Sequence, residues 1–288
     1  MPESEVVNAV LTWHSFKASE KFIQEVFWRT YWKGWLELRP SVWQRYQSDL
    51  EQLIDRLKRD DELQFRFSRA TSGETGVQCF DEWANELTGH GYLHNHSRMW
   101  FASIWIFWFG LPWQLGADFF LRNLLDGDPA ANTLSWRWVA GLQTRGKAYI
   151  ARPDNIAKFT RGRFRPNDVA LAEAPPISGP PDPIPRQIDG RTDWNRTRRT
   201  GLLLTEDDLS PEFLRFPVNG FEGLATLNSS QGRSPLGVSN TVAAFVDGAF
   251  NDTLGRIRSV AGRSTGHVLQ TSSVYNLVDW VLQKKIQK

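Results

Sequence analysis

The sequence predicts a mainly α protein, with a large helical domain over residues 1–168, a proline-rich linker over 169–200 and a small α/β region over 201–288. Three observations carry this. Up to residue 140 the apolar residues recur at helical spacing, while proline is rare. "EAPPISGPPDPIPRQIDG" is then too crowded with proline for regular structure, so it reads as a linker or an extended wrap. Beyond it, short apolar runs bounded by turn residues alternate with helical patterns.

In order, "SEKFIQEVFWRTYWKGWLEL" is a long amphipathic helix with a serine in its first turn and no proline until Pro40. "SVWQRYQSDLEQLIDRLKRDDE" follows as a second helical or irregular segment, and "CFDEWANELTGHG" as a third helix closed by Gly89 and Gly91. "YLHNHSRMWFASIWIFWFG" makes a fourth helix and "WQLGADFFLRNLL" a fifth. Residues 141–168 read as a basic loop running from Arg145 to Arg165. In the last region "TGLLLTEDDL", "GLATLNSS" and "GHVLQTSS" are the short apolar runs, while "SNTVAAFVDGAFNDTLGRI" and "SVYNLVDWVLQKK" read as helices.

Composition excludes several functions. Cys79 is the single cysteine, so one chain can build neither a disulfide framework nor a cysteine-ligated zinc or iron–sulfur site, and a reducing cytoplasm is the expected compartment. The apolar stretch "MWFASIWIFWFGLPW" falls short of the roughly 20 residues a membrane span needs and is broken by Gly110 and Pro112; a buried core helix fits it, and no membrane partner is expected. His90, His94 and His96 lack a completing carboxylate or thiolate, so no metal is expected. A net charge of +2 does not by itself point to nucleic acid. Twelve of the fourteen tryptophans precede residue 140, which places the chemistry in the first region.

"LLDGDPAANTLSWRW", residues 124–138, concentrates acid, amide and indole. Together with "GYLHNHSRM" and "FIQEVFWRTYW" upstream, it resembles the flavin-binding core of the DNA photolyase and cryptochrome family. The resemblance runs from residue 20 to about 165 and implies a helical FAD-binding domain. It implies that Arg98 and Asp126 pair beside the flavin ring, that Asp128 accepts from the N3 side or a ribose hydroxyl, and that Asn132 faces N5 as a neutral amide. Phe22, Arg29, Tyr92, Asn95 and Ala131 match further cofactor positions, with Arg29 reaching the phosphates. Trp136 and Trp113 match the inner and middle members of the family's electron relay; the outer member has no clear match, with Trp43, Trp100, Trp105 and Trp108 as candidates. Glu25, Trp28, Met99 and Trp138 match positions that hold a flipped pyrimidine dimer, so DNA carrying such dimers is the implied partner.

Plainer roles stay open for the same residues. Asp128 suits a helix cap, Glu25 and Arg29 an ion pair one turn apart, and Met99 and the clustered tryptophans ordinary core packing. The family's N-terminal antenna domain and serine- and threonine-rich phosphate loop have no counterpart before Phe22, and a second chain supplying that half is an expected partner. The implied activity is light-driven electron transfer from reduced FAD to a pyrimidine dimer. The alternatives are a cryptochrome-like blue-light sensor and a remnant that binds no flavin.

Overall fold

The computed structural model describes residues 3–166, 174–188, 200–211, 221–260, 268–284 and 286. Of the expected linker, residues 169–173 and 189–199 lie outside the described residues. Helices dominate, with one small sheet near the C-terminus.

Helix α1 spans Glu3–Trp13 and α2 spans Phe16–Glu37. The uncertain segment after Pro40 resolves into two helices, α3 at Pro40–Leu57 and α4 at Asp61–Ser72. The break has a local cause: Asp60 caps α4 by accepting the Leu63 N–H at 3.0 Å, and its other oxygen takes Arg56 from the end of α3. α5 covers Gln78–His90. Gly91, at φ 69°, ends it, whereas Gly89 stays helical, because only the left-handed turn needs glycine.

α6 is Asn95–Ser103, continued by one π-helical turn at Ile104–Trp108; α7 is Trp113–Asn123 and α8 is Pro129–Val139. The basic segment expected as loop contains a short helix, α9, at Pro153–Phe159. Pro153 fixes a helical φ where no N–H is needed, and Asp154 adds a carboxylate to the first turn; two signals outweighed the loop-like composition.

The three short apolar runs form strands β1 (Gly201–Thr205) and β2 (Gly223–Leu227), then, after helix α10 (Asn240–Val260), β3 (Val268–Thr271). α11 closes the chain at Val274–Gln283. The strands pair in parallel in the order β1-β2-β3, with Leu202 opposite Leu224 and Leu224 opposite Val268. Trp280 of α11 packs where glycines leave room: a Cβ at Gly223 would stand 2.6 Å from its ring.

Two compact units result. One holds residues 1–28, 188–232 and 242–288, including the sheet. The other holds residues 29–187 and 233–241, and its core is aromatic: Phe80 and Phe101 stack at 4.0 Å, Trp83 and Trp100 at 5.6 Å, Trp105 and Phe119 at 6.2 Å. The described part of the proline-rich stretch lies along this unit as a strap. Ile177 N–H bonds the Ala140 carbonyl at 2.9 Å and Arg186 N–H the Leu38 carbonyl at 2.8 Å. No described helix is long and apolar enough to cross a membrane.

Candidate functional site

The acid-rich turn before α8 builds its own helix start. The Gly127 N–H closes on the Leu124 carbonyl at 3.1 Å, and a Cβ at Gly127 would stand 3.0 Å from that carbonyl. Asp128 is the N-cap: Oδ1 accepts the Ala131 N–H at 2.9 Å, and Pro129 follows at the first helical position. The capping role open to Asp128 is therefore real. Its other oxygen has more to do. Oδ2 lies 2.9 Å from Lys33 Nζ and 3.5 Å from Arg29 Nε, yet it is buried and neither cation meets it with hydrogen-bond geometry.

Asn132 stands one turn into α8 and is buried. Its Nδ2 donates to the Ala117 carbonyl of α7 at 2.8 Å, which fixes the amide's orientation. Oδ1 is left without a protein donor among the described residues.

Arg98 projects from α6, whose first turn is organised by His94: its Nδ1 accepts the His96 N–H at 3.2 Å. Arg98 Nε donates to the Leu93 carbonyl at 2.8 Å, and Nη2 reaches both oxygens of Asp126 at 3.0 and 3.1 Å. That backbone anchor aims the guanidinium, while the Asp126 side chain is 60% exposed. Tyr92 is exposed, with Arg98 Cζ 5.8 Å from its ring centroid. Asn95 is exposed on the first turn of α6, and Met99 and Ala131 are partly buried.

Trp136 is sunk in the aromatic core. It meets Trp105 edge-on at 6.2 Å and Phe120 at 5.1 Å, and Gly116 lies directly against its ring. Trp113 has different neighbours: its ring is 5.7 Å from Tyr46, which is 5.1 Å from the partly exposed Trp43. Tyr46 is buried, and this together with the nearby Asp118 carboxylate holds its phenol well above the usual tyrosine range. Trp138 stacks on Tyr149 at 5.5 Å.

Residues 29–187 thus bring together Arg29 with Asp128, Arg98 with Asp126, and Asn132 one turn beyond Asp128. Phe22, Glu25 and Trp28 lie on the N-terminal part of α2, in the other unit, with exposed side chains. Lys33 and Tyr46 were not anticipated. Lys33 had a signal, since it sits four residues after Arg29 on one helix face; Tyr46 had none beyond apolar periodicity.

Residues 22–163 match the family described as the FAD binding domain of DNA photolyase. The chain is 29% identical to a deoxyribodipyrimidine photo-lyase of Streptomyces griseus over 62% of its own length and 42% of the relative's. It is 31% identical to one of Agrobacterium fabrum over 47% of this chain and 29% of the relative, and 36% identical to one of Salmonella typhimurium over 29% and 18%. The chain thus spans less than half the length of these relatives. No solved structure matches it.

Proposed function

We propose that this chain, whose residues 22–163 are a FAD-binding domain of the DNA photolyase family, is a photolyase-like flavoprotein that repairs pyrimidine dimers in DNA by light-driven electron transfer. FAD is the domain's cofactor, and the donor set fits it. The observation that carries the reading is a set of polar groups with capacity left over for a ligand: Asn132 Oδ1 has no protein donor among the described residues, the buried Asp128 Oδ2 has cations beside it but no hydrogen bond, and the Asp126 carboxylate, held by Arg98, stays 60% exposed.

When bound and reduced, FAD supplies the light-absorbing electron donor. The chain's residues would do the rest. Arg98, anchored on the Leu93 carbonyl, holds Asp126 at the flavin's polar edge. Asn132, whose amide nitrogen is committed to Ala117, would have its carbonyl oxygen available for N5. Asp128 would offer Oδ2 to a ribose hydroxyl or to N3–H, while Arg29 and Lys33 beside it would bring positive charge toward the phosphates. Trp136, held edge-on by Trp105, would be the chain's inner redox-active ring for the flavin. Met99 and Trp138 would line the place of the flipped dimer, and the basic run from Arg145 to Arg165 would meet phosphates, with salt-sensitive binding.

One observation favours the blue-light sensor as the second reading. Trp138, offered as a wall for the dimer, already stacks on Tyr149. The test is the chain loaded with FAD, reduced, and illuminated with an oligonucleotide carrying one thymine dimer. Light-dependent loss of the dimer supports the enzyme. Bound, photoreducible flavin without repair favours the sensor, and a colourless chain that takes up no added FAD overturns both.

A further inference from the structure

A cleft of about 300 Å³ opens between α3, the entry to α7 and the proline-rich strap at residues 177–180. No residue given a flavin-binding role lines it. Its apolar wall is Trp113 and Tyr46, with Leu142 and Ile177 also lining it. Its charged residues include Arg45 and Arg137.

The charges there are unbalanced. Arg137 gives its Nε–H to Gln143 Oε1 at 3.2 Å and one Nη2–H to Asp182 at 2.9 Å; both hydrogens on Nη1 have no protein acceptor among the described residues. Arg45 makes no ion pair among the described residues, whereas the lining carboxylate Asp49 accepts from Gln114 at 3.1 Å. Burial lowers the pKa of Arg137, Asp182 opposes this, and Arg45 and Arg145 lower it further. Arg45 and Arg137 line the cleft, with Arg145 close enough to add to their repulsion. Against them stand two carboxylates, Asp182 paired to Arg137 and Asp49 taken by Gln114, and an anion bound between Arg45 and Arg137 would relieve that repulsion.

We propose that this cleft binds a small aromatic carboxylate, its ring against Trp113 and Tyr46 and its carboxylate between Arg45 and Arg137. The size sets the class. A volume at the low end for ligand pockets admits one ring or two fused rings. A planar anion also uses both walls at once, because guanidinium presents paired donors to carboxylate while the aromatic rings take the flat face. The strap contributes the far wall and is held by the Arg145 Nη2 bond to the Gly179 carbonyl at 3.0 Å.

The experiment titrates 2-naphthoate into the full chain by calorimetry, beside its neutral counterpart 2-naphthalenemethanol and inorganic phosphate. The expected result is saturable 1:1 binding of 2-naphthoate, roughly tenfold weaker for the neutral compound. Arg45→Gln, at an exposed position, should weaken it about fivefold or more, and Val42→Trp, which fills the cleft, should abolish it; melting temperature and flavin content confirm that both variants fold. The proposal is overturned if wild type shows no saturable binding at millimolar concentration, if the neutral compound binds equally well, if either variant binds as wild type does, or if phosphate alone binds as tightly as 2-naphthoate.

Discussion

Replacing Gly116 by alanine should cost stability where a helical glycine normally gains it. Gly116 is inside α7, where alanine is worth about 1 kcal/mol more than glycine. Its new Cβ, however, would come 2.5 Å from Trp136 Cζ3, nearer still to Cη2, and 2.9 Å from Trp105 Cε2. Relaxed carbon contacts lie near 3.5–4.0 Å, so the Trp136 ring must retreat by roughly 1 Å or more. Phe101 and Phe120 crowd its other sides, and Trp105 is wedged by Phe67, Phe80 and Phe119. Overpacking of this kind costs about 1–3 kcal/mol. The matched control is Gly89→Ala in α5, where nothing lies within 4 Å of the added carbon and a gain of up to about 1 kcal/mol is expected. Urea unfolding of both variants should therefore separate them by about 1–3 kcal/mol, with a changed near-ultraviolet dichroism only for Gly116→Ala. Equal gains for the two variants would refute the tight Trp136 contact.

The remaining predictions divide capping, cofactor and charge effects. Asp128→Ala should lose about 1–2 kcal/mol by denaturation because the cap disappears, whereas Asp128→Asn keeps the cap and most of the stability, and both should bind FAD at least about tenfold more weakly; an alanine variant as stable as wild type would contradict the cap. Asn132→Asp removes the donor to the Ala117 carbonyl, so a loss of about 1–3 kcal/mol is expected, together with an altered flavin absorbance on illumination. Unchanged spectra would remove Asn132 from N5. Asp118 is buried against Arg122 at 2.8 Å, and burial raises its pKa above the ordinary 3.8, with Arg122 opposing. A raised acid binds its proton more tightly folded than unfolded, so its contribution to stability falls as pH rises from about 3.8 through the folded pKa. Urea midpoints across that window should lose this downward slope in Asp118→Asn, and a slope that persists would assign it to another group.

The helices and strands were legible because their signals are local. Apolar spacing, a serine or aspartate at a start and a glycine at Gly91 act within one turn, and the three C-terminal apolar runs carried turn residues on both sides. The division of residues 41–62 was not legible, since it depends on Asp60 serving as the cap of α4 while also holding Arg56 at the end of α3. α9 was hidden because a seven-residue helix inside a basic segment has too little apolar period to detect. Within the site, the resemblance supplied residue identities but no partners. That Asn132 spends its nitrogen on Ala117, or that Trp113 faces Tyr46, depends on how α3, α7 and α8 pack, and no spacing within one segment encodes it.

These partners also separate the residues that the fold itself needs from those it does not. Asp128 would be required by any protein with this helix start, since it closes the first turn of α8 and neutralises Lys33. Gly116 and Trp136 are likewise explained by packing alone. Asp126 is different: among the described residues its exposed carboxylate pairs with Arg98 alone, and an exposed pair of this kind adds about 0–1 kcal/mol to stability. Asn132 is intermediate, because folding uses Nδ2 and leaves Oδ1 idle. Loss of flavin in Asp126→Ala with stability unchanged to within about 1 kcal/mol would mark that carboxylate as a residue of the site rather than of the fold. Parallel loss of flavin and stability would instead make the pair part of the scaffold, and the case for a working cofactor site would then rest on Asn132 Oδ1 and Asp128 Oδ2.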